Sequence, residues 1–306
     1  MFPVIYSKEF LEHDTGRFHP EKPARLTAIV KGLQAASFAD QIEWRSPTSP
    51  NAKPDLKFWL ESAHSLDYIH KVQAIASHGG GRLDGDTPIS PRSYDIALLA
   101  VSAWIDGVDT VLTTNNPAFV LARPPGHHAE SKTGMGFCLF SNAAIAALYS
   151  LAQPNINRVA IVDWDVHHGN GTQEIVETHP NIAYCSLHQY PAYPGTGRVS
   201  ETGFYQNVLN LPVIPGSDIT IYQPLWEKKI IPFLTNFQPD LLIVSAGYDC
   251  NADDPLASVN LQPSDFSLFT KYCLTITRKI LFGLEGGYDL PSLSQSVNAT
   301  IEPCLK

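Results

Sequence analysis

Short apolar runs without polar alternation recur along the chain, and most are followed by a polar turn and a segment of helical periodicity. Runs of this kind are typical of parallel strands that are buried on both faces. The predicted strands are 3–6, 118–122, 159–162, 182–187, 208–211, 240–245 and 280–284. The predicted helices are 24–36, 56–77, 94–111, 142–151, a short one from residue 171, 219–234 and 264–277. Strands that alternate with helices across long loops predict a doubly wound α/β fold over residues 1–306, organised as one domain.

The stretch 158–173, RVAIVDWDVHHGNGTQ, is the centre of this pattern. Its apolar strand gives way to Asp163, Asp165 and His167, and alternate side chains of an extended segment share one face. Carboxylates and an imidazole together suit a divalent metal such as zinc. Polar residues at the carboxyl end of a parallel strand also mark the usual place of a site in open α/β sheets. A strand that merely ends in a polar turn is the competing interpretation.

Three other predicted strands also end in reactive side chains. The adjacent His127 and His128 follow the strand 118–122, Asp249 follows 240–245, and Tyr288 follows 280–284. If these strands are neighbours in one sheet, their loops converge with the central stretch on one cavity. Taken singly, each group has a structural explanation: the histidines as loop caps, Asp249 as a helix cap and Tyr288 as a core aromatic. Their recurrence at successive strand ends favours a common site.

These groups suggest a metal-assisted hydrolytic site. Asp165, His167 and Asp249 would supply three ligands and leave a fourth position open, which is the arrangement of catalytic rather than structural zinc. Zinc lowers the pKa of bound water and polarises a carbonyl group. One histidine of the pair His127 and His128 can then take a proton from water, and Tyr288 can donate a hydrogen bond to a developing oxyanion.

Composition and charge exclude several classes of protein. The chain has 306 residues, of which 44% are hydrophobic, enough for a large core. Its formal charge of −9 argues against a nucleic-acid binder. We expect no signal peptide and no apolar run that approaches the roughly 20 residues of a membrane span, so no membrane partner is predicted. Five scattered cysteines indicate thiols in a reducing compartment. We therefore expect a soluble cytoplasmic protein.

Five motifs, in order and over nearly the whole chain, resemble the zinc-dependent histone deacetylase family. They are RPPGHHAE with MGFCLFSNAAIAA, VDWDVHHGNGTQ, SLHQYPAYPGTG, SAGYDCNADDPLA and LEGGYDL. With an asparagine in HHGNG, the chain resembles class II members of the family. This group includes bacterial histone-deacetylase-like amidohydrolases and acetylpolyamine amidohydrolases. The resemblance implies the arginase–deacetylase fold: a mainly parallel sheet of about eight strands, helices on both faces and long loops at the strand carboxyl ends.

The resemblance also implies roles for individual residues. The implied zinc ligands are Asp165, His167 and Asp249, with one zinc ion per chain. His128 is the implied general base, and the neighbouring His127 has an electrostatic or acid role.

Other implied roles lie next to this centre. Asp163 would hydrogen-bond His127, and Asn170 stands where some classes place an aspartate beside His128, which leaves that histidine less strongly charge-stabilised. Tyr288 would polarise the acetyl carbonyl.

The implied substrate site is an apolar tunnel for an acetyl-lysine side chain. Phe137 and Tyr193 would wall it, Gly136 and Leu256 would lie at its mouth, and an apolar slot suits a four-methylene stem. Asp86 would hold the substrate backbone at the rim, although a turn carboxylate is the competing interpretation. Further implied residues are Gly287 in the substrate site, Arg25 beside an inner acetate channel, and a structural potassium site near Asp163, Asp165, His167, Ser186 and Leu187.

The function expected from these residues is deacetylation of acetyl-lysine in peptides or proteins. Acetylpolyamine is the alternative substrate. Leu256 stands where eukaryotic polyamine deacetylases carry glutamate, which favours acetyl-lysine, but Asp84, Asp86 or Glu130 could replace that acid. An arginase-like binuclear manganese hydrolase and a silent acetyl-amine binder are further alternatives. The ligand set suits ferrous iron as well as zinc.

Overall fold

A central sheet of eight strands, all of them parallel, organises the computed structural model, which describes residues 1–305. Its strands are β1 Phe2–Tyr6, β2 Ile42–Arg45, β5 Ala118–Leu121, β6 Val159–Asp163, β7 Ile182–Gln189, β8 Val208–Val213, β9 Leu241–Ala246 and β10 Ile280–Leu284. They are arranged in the order β2-β1-β5-β10-β9-β6-β7-β8. The strands β3 Gly81–Arg82 and β4 Pro88–Ile89 form a separate antiparallel pair. The expected parallel sheet is confirmed.

Helices cover both faces of the sheet, which explains why its inner strands carry no polar alternation. Every residue of β6, β9 and β10 is buried. The helices are α1 Ala24–Ala35, α2 Leu56–Ala63, α3 Leu66–Ser77, α4 Ser93–Thr114, α5 Asn142–Leu151, α6 Asn170–Val176, α7 Ile219–Leu225, α8 Ile231–Phe237, α9 Asp265–Ile276 and α10 Leu290–Ile301. One continuous apolar cluster includes residues from both layers.

Two predicted helices are interrupted. The predicted helix 56–77 breaks into α2 and α3 at Ser65, whose hydroxyl accepts a hydrogen bond from the Tyr68 backbone N–H at 3.3 Å and so caps α3. The predicted helix 219–234 divides into α7, a π-helical turn over Trp226–Ile230, and α8, with prolines at 224 and 232. Proline lacks the backbone N–H that a regular helix needs, which explains a break at this position.

The helix α4 corrects one expectation about membranes. It has 22 residues and is long and apolar enough to cross a bilayer, contrary to the prediction that no run approaches that length. However, 72% of its most apolar window is buried inside the protein, as in the core helix of a globular fold. Trp104 of this helix is fully buried, and a Cβ added at Gly283 in β10 would approach its ring to 2.0 Å. The apolar character of α4 therefore serves packing against the sheet.

The strand order brings the four reactive loops together. The strands β5, β10, β9 and β6 are consecutive neighbours in the sheet. Because all four run parallel, the loops that follow them leave from the same edge. The condition set by the sequence, that these strands be neighbours, is met.

Candidate active site

Asp165, His167 and Asp249 meet at the carboxyl edge of the sheet. One ligand atom from each lies within 4.8 Å of the others. The Nδ1 atom of His167 is 3.1 Å from Asp165 Oδ1 and 3.1 Å from Asp249 Oδ2. Both carboxylates are fully buried and each also accepts a backbone N–H: Gly286 donates to Asp165 Oδ2 at 2.9 Å, and Val166 donates to Asp249 Oδ1 at 2.9 Å. The three side chains are thus held in place from two neighbouring loops.

Two glycines make room for these carboxylates. A Cβ added at Gly247 would lie 2.0 Å from Asp165 Oδ2, and one at Gly286 would lie 2.3 Å from Asp249 Oδ2. The glycines of the AGYD and EGGY segments therefore allow a close approach of backbone to the carboxylates, rather than supplying flexibility.

The electrostatics of this cluster favour a bound cation. Burial by itself lowers the pKa of His167, but hydrogen bonds to Asp165 and Asp249 outweigh it and hold that pKa well above its ordinary value. Burial, reinforced by the nearby Asp165, raises the pKa of Asp249. Two dry carboxylates beside one imidazole need positive charge between them. Their donor set fits a divalent metal with two oxygen ligands and one nitrogen ligand.

The adjacent histidines lie in opposite electrostatic environments. His127 Nδ1 donates to Asp163 Oδ2 at 3.1 Å. Burial lowers the pKa of His127, but the charges of Asp165 and Asp163 outweigh it and raise that pKa to about 10. Burial, with the neighbouring His127 and His167, instead holds the pKa of His128 well below its ordinary value. Because their pKa values differ in this way, His127 can act as a cation while His128 acts as a base.

His128 is oriented by Asn170, as the resemblance implied. Its Nδ1 atom lies 2.8 Å from Asn170 Oδ1, and the Asn170 amide donates from Nδ2 to Glu130 Oε1 at 2.7 Å. The ring of His128 lies against that of His127, with 4.0 Å between the ring centroids. His128 lines the cavity, and His127 lies behind it.

Glu285 holds the histidine loop and was not predicted from the sequence. Its Oε2 atom accepts the backbone N–H of Gly126 at 2.7 Å and of His127 at 3.2 Å, and Ser245 donates to Oε1 at 3.1 Å. Burial raises its pKa to about 7. Glu285, His127 and Cys138 also bring ligand atoms within 4.8 Å of one another. Three donors already occupy the Glu285 oxygens, so this second group serves loop structure better than a second metal.

Tyr288 is held at the base of the cavity from two sides. Arg25 donates from Nε to Gly287 O at 2.6 Å, and its guanidinium carbon lies 5.0 Å from the centroid of the Tyr288 ring. Asp254 Oδ2 accepts the Tyr288 backbone N–H at 2.6 Å. Burial raises the pKa of Tyr288 well above its ordinary value, so the hydroxyl keeps its proton and can donate a hydrogen bond.

A buried ion-pair cluster centred on Glu21 supports Arg25 from behind. Arg25 donates from Nη1 to Glu21 Oε1 at 3.1 Å, and Arg123 donates from Nη2 to Glu21 Oε2 at 2.6 Å. All three side chains are fully buried. Burial alone raises the pKa of Glu21, but Arg123 and Arg25 together lower it to about 2.

Replacing Glu21 by alanine is expected to cost about 3–5 kcal/mol of unfolding free energy, because two buried guanidinium groups lose their counter-charge. Urea denaturation at pH 7 measures this loss. The half-exposed Glu43, paired with Arg45 at 2.9 Å, provides the control: Glu43→Ala should cost about 0–1 kcal/mol. Equal losses in both variants would contradict the assigned role of the buried cluster.

The same cluster has a defined pH dependence. The folded pKa of Glu21, about 2, lies below its ordinary value of 4.5. Its stabilising contribution is therefore complete above pH 4.5 and is lost as the pH falls from there towards 2. Glu21→Ala should remove this acid-labile component from the stability profile.

An apolar cavity of about 210 Å³ leads to His167 and His128. Its lining residues are Asp86, His128, Gly136, Phe137, His167, Tyr193, Leu256 and Tyr288. Phe137 lies edge-on to Tyr288 with centroids 5.8 Å apart, and Tyr193 lies edge-on to His128 at 5.1 Å. Tyr193 and Leu256 are 41% and 39% exposed, as expected near a mouth.

Two features of the loops keep this cavity open. Gly136 has φ of +54°, and a Cβ there would lie 2.4 Å from the His128 ring. Phe137, with φ of +70°, donates its backbone N–H to Thr87 Oγ1 at 3.1 Å, which ties the loop to the segment carrying Asp86. His19, which was not predicted from the sequence, packs edge-on against Phe137 at 4.6 Å, and its Nε2 lies 3.0 Å from Asp86 O.

The remaining predicted residues lie around the cavity rather than on its wall. Gly287 is not among the described residues that line the cavity, and its carbonyl accepts from Arg25. Glu130 and Asp84 are likewise absent from that lining: Glu130 contacts Asn170, and Asp84 Oδ1 accepts the Thr87 N–H at 2.7 Å. Ser186 on β7 is paired in register with Asp163 on β6. The potassium site at this pair, with Asp165, His167 and Leu187, stays a prediction.

Comparisons with known proteins point to one family. A family model described as histone deacetylase domain matches residues 19–304. An uncharacterised protein of Synechocystis is 53% identical over 307 residues, with 100% of both chains covered. A histone deacetylase-like amidohydrolase of Pseudomonas aeruginosa is 36% identical, with 82% of this chain and 66% of that protein covered. The crystal structure of the HDA15 HD domain matches with a TM-score of 0.93 and 34% identity, over 99% of this chain and 90% of that one.

Proposed function

The chain belongs to the histone deacetylase family, with its arginase–deacetylase fold, and from this premise we propose that it is a zinc-dependent amidohydrolase. In this proposal, residues 1–306 form one catalytic domain that removes acetyl groups from acetyl-lysine side chains of peptides or proteins. One observation carries it: an apolar slot reaches His167, which forms a cluster with Asp165 and Asp249. A neutral His128 and a protonated Tyr288 line the same slot.

Asp165, His167 and Asp249 would hold the metal. When bound, it lowers the pKa of water and polarises the acetyl carbonyl. Two carboxylates and one imidazole suit zinc and also ferrous iron. The three hydrogen bonds that Glu285 accepts favour one metal over the binuclear arginase-like alternative. The joint presence of metal ligands, base and oxyanion donor favours an enzyme over a silent binder.

The protein side chains divide the work of hydrolysis. His128 donates from Nδ1 to Asn170, so its Nε2 lone pair can accept a proton from the attacking water. His127, held cationic by Asp163 and Asp165, stabilises negative charge from behind. The Tyr288 hydroxyl donates to the oxyanion as the carbonyl becomes tetrahedral. His128 then returns the proton to the leaving amine, the C–N bond breaks, and the amine takes up the second proton of the water as acetate is released, so that the products are acetate and an ammonium group.

The cavity wall favours acetyl-lysine as the substrate. Phe137 and Tyr193 present rings along a slot that suits four methylenes. Asp86 is the acid among the described lining residues and is placed to accept N–H groups of a substrate backbone. Leu256 offers no charge to a distal ammonium. The acetylpolyamine alternative rests on Asp86 alone, since Glu130 and Asp84 do not line the cavity.

We expect turnover of an acetyl-lysine peptide to exceed that of N-acetylputrescine by at least about tenfold in kcat/KM, about 1.4 kcal/mol, since Asp86 is the one acid among the described lining residues that faces a distal ammonium. Parallel assays with purified protein of known metal content make this comparison. A strong preference for N-acetylputrescine would overturn the substrate assignment. Full metal occupancy with neither substrate turned over would direct the search to other small amides.

Two further assignments belong to this proposal. We place a structural potassium ion beside Asp163, Asp165, His167, Ser186 and Leu187, supported by the pairing of Asp163 with Ser186. We also propose a cytoplasmic location, supported by five cysteines that are all free and buried in the described chain.

A further inference from the structure

We propose that Glu130 is a positioning residue that sets the tautomer of His128 through Asn170. The proposal rests on the proposed function, in which His128 is the base. The three side chains form one hydrogen-bonded line: Glu130 Oε1 lies 2.7 Å from Asn170 Nδ2, and Asn170 Oδ1 lies 2.8 Å from His128 Nδ1. Asn170 and His128 are 6% and 3% exposed, so water competes little for the bond between them, and Glu130 is half-buried.

The Glu130 carboxylate determines which way the side-chain amide of Asn170 points. An ionised carboxylate only accepts hydrogen bonds, so the NH₂ group of Asn170 must face Glu130. The amide oxygen of Asn170 then faces His128 and requires a proton on Nδ1. A neutral imidazole with its proton on Nδ1 leaves Nε2 free to accept the proton of water. An amide turned the other way would instead place the His128 proton on Nε2 and block the base.

The backbone around Glu130 is fixed from several sides. His64 donates from Nδ1 to Glu130 O at 3.0 Å, and its Nε2 accepts the Ser141 N–H at 2.9 Å. The next residue, Ser131, accepts the Ser65 N–H at 2.8 Å. These bonds explain why the helix predicted over 56–77 breaks at 64–65: the break turns both residues towards this loop. Because its backbone is fixed in this way, Glu130 can hold the side chain of Asn170 in one position.

A second set of contacts places Glu130 opposite Asn170. A Cβ at Gly171 would lie 2.2 Å from Ala129 O, so the last glycine of HHGNG lets its own backbone contact that of Ala129. Glu174 accepts from both the N–H and the hydroxyl of Ser131, at 2.7 and 2.8 Å. Glu130 itself does not line the cavity and does not reach the substrate, so its effect on catalysis is exerted through His128.

An exchange of groups between positions 130 and 170 tests this inference. In Glu130→Gln the new side-chain amide can either donate or accept a hydrogen bond, so the orientation of the Asn170 amide is no longer fixed. We therefore expect kcat on an acetyl-lysine peptide to fall about 10- to 100-fold. In the double variant Glu130→Gln/Asn170→Asp, the amide now at position 130 donates to the carboxylate now at position 170, and that carboxylate accepts from His128. The bond between positions 130 and 170 is reversed, but the group at position 170 still accepts from His128 Nδ1, so kcat should recover to within about threefold of wild type, as expected for partners that act as a unit.

The control is Glu174→Gln, the same substitution on a glutamate that contacts Ser131 of this loop. It loosens the loop without releasing the Asn170 amide, so we expect kcat to change by less than about threefold. An equal fall of kcat in Glu174→Gln and Glu130→Gln would overturn the inference. So would a double variant that is folded by circular dichroism but whose kcat does not recover.

A readout independent of turnover is the tautomer of His128, measured by ¹⁵N–¹H correlation spectra of the imidazole rings in metal-free protein and assigned with a His128→Gln variant. Wild type and the double variant should carry the proton on Nδ1, whereas Glu130→Gln should show a mixture. This pattern would support the relay even if wild type deacetylated nothing, in which case only the proposed function would fail. An active wild type whose tautomer is unchanged in Glu130→Gln would overturn the relay alone.

Discussion

Asp249→Asn is expected to reduce deacetylation by at least about 10³-fold, the largest effect of any single substitution considered, because Asp249 is a proposed metal ligand and the loss of such a ligand forfeits several kcal/mol of transition-state stabilisation. Asparagine keeps the shape of the side chain and can still accept the Val166 N–H that now goes to Oδ1 at 2.9 Å. What it removes is one of the two negative charges beside His167. Metal content should therefore fall together with activity while the fold persists.

Metal analysis and turnover on the same samples check this expectation, with wild type depleted by a chelator and then resupplied with zinc as a parallel series. Asp253→Asn is the matched control, since Asp253 is an exposed acid further along the same loop. Wild type should lose activity on chelation and regain it with zinc, and the control should follow wild type. An Asp249→Asn protein that kept both its metal and its turnover would remove Asp249 from the site.

Tyr288→Phe is expected to lower kcat about 10²- to 10³-fold with little change in KM, because it removes one oxyanion donor that acts mainly in the transition state. The ring should stay in place, since its contacts with Phe137 and Arg25 do not involve the hydroxyl. Metal content should equal that of wild type, which separates this effect from that of Asp249→Asn.

Single-turnover and steady-state rates on an acetyl-lysine peptide, with metal content determined in parallel, provide the measurement. Tyr205→Phe serves as the control, because Tyr205 is 57% exposed in another loop. A loss of less than about threefold in Tyr288→Phe, with full metal, would mean that the oxyanion is stabilised by other groups. A loss accompanied by metal release would instead make Tyr288 a structural support.

The fold could be predicted where burial leaves a simple pattern. The strands β6, β9 and β10 are buried on both faces, so their apolar runs are visible without knowledge of partners. The edge strand β2 escaped prediction because only the first of its four residues is buried. The short β3–β4 pair and the helix α10 were also missed.

The metal-ligand candidates and Tyr288 could be recognised because each is a reactive side chain that closely follows an apolar strand. The residues that hold these side chains in place could not be recognised from the sequence. Glu285 was missed because its partner Gly126 lies 159 residues away in the sequence. Arg25 was placed only beside an acetate channel, and its contact with Gly287 was missed because it spans 262 residues. Glu130 was considered only as an acid for a polyamine, whereas its contact with Asn170 depends on two loops meeting.

The amino-acid sequence by itself determined the fold class, the order of the strands along the chain and the chemical groups at their ends, because hydrophobic periodicity and residue type are local properties. Only the tertiary structure decided which of these groups share a site. Parallel pairing brought Asp165 and Asp249 together beside His167. Burial lowered the pKa of His128, whereas the charges of nearby aspartates outweighed burial and raised the pKa of His127. Distances and desolvation arise only when distant segments pack, and they decide how the groups can act.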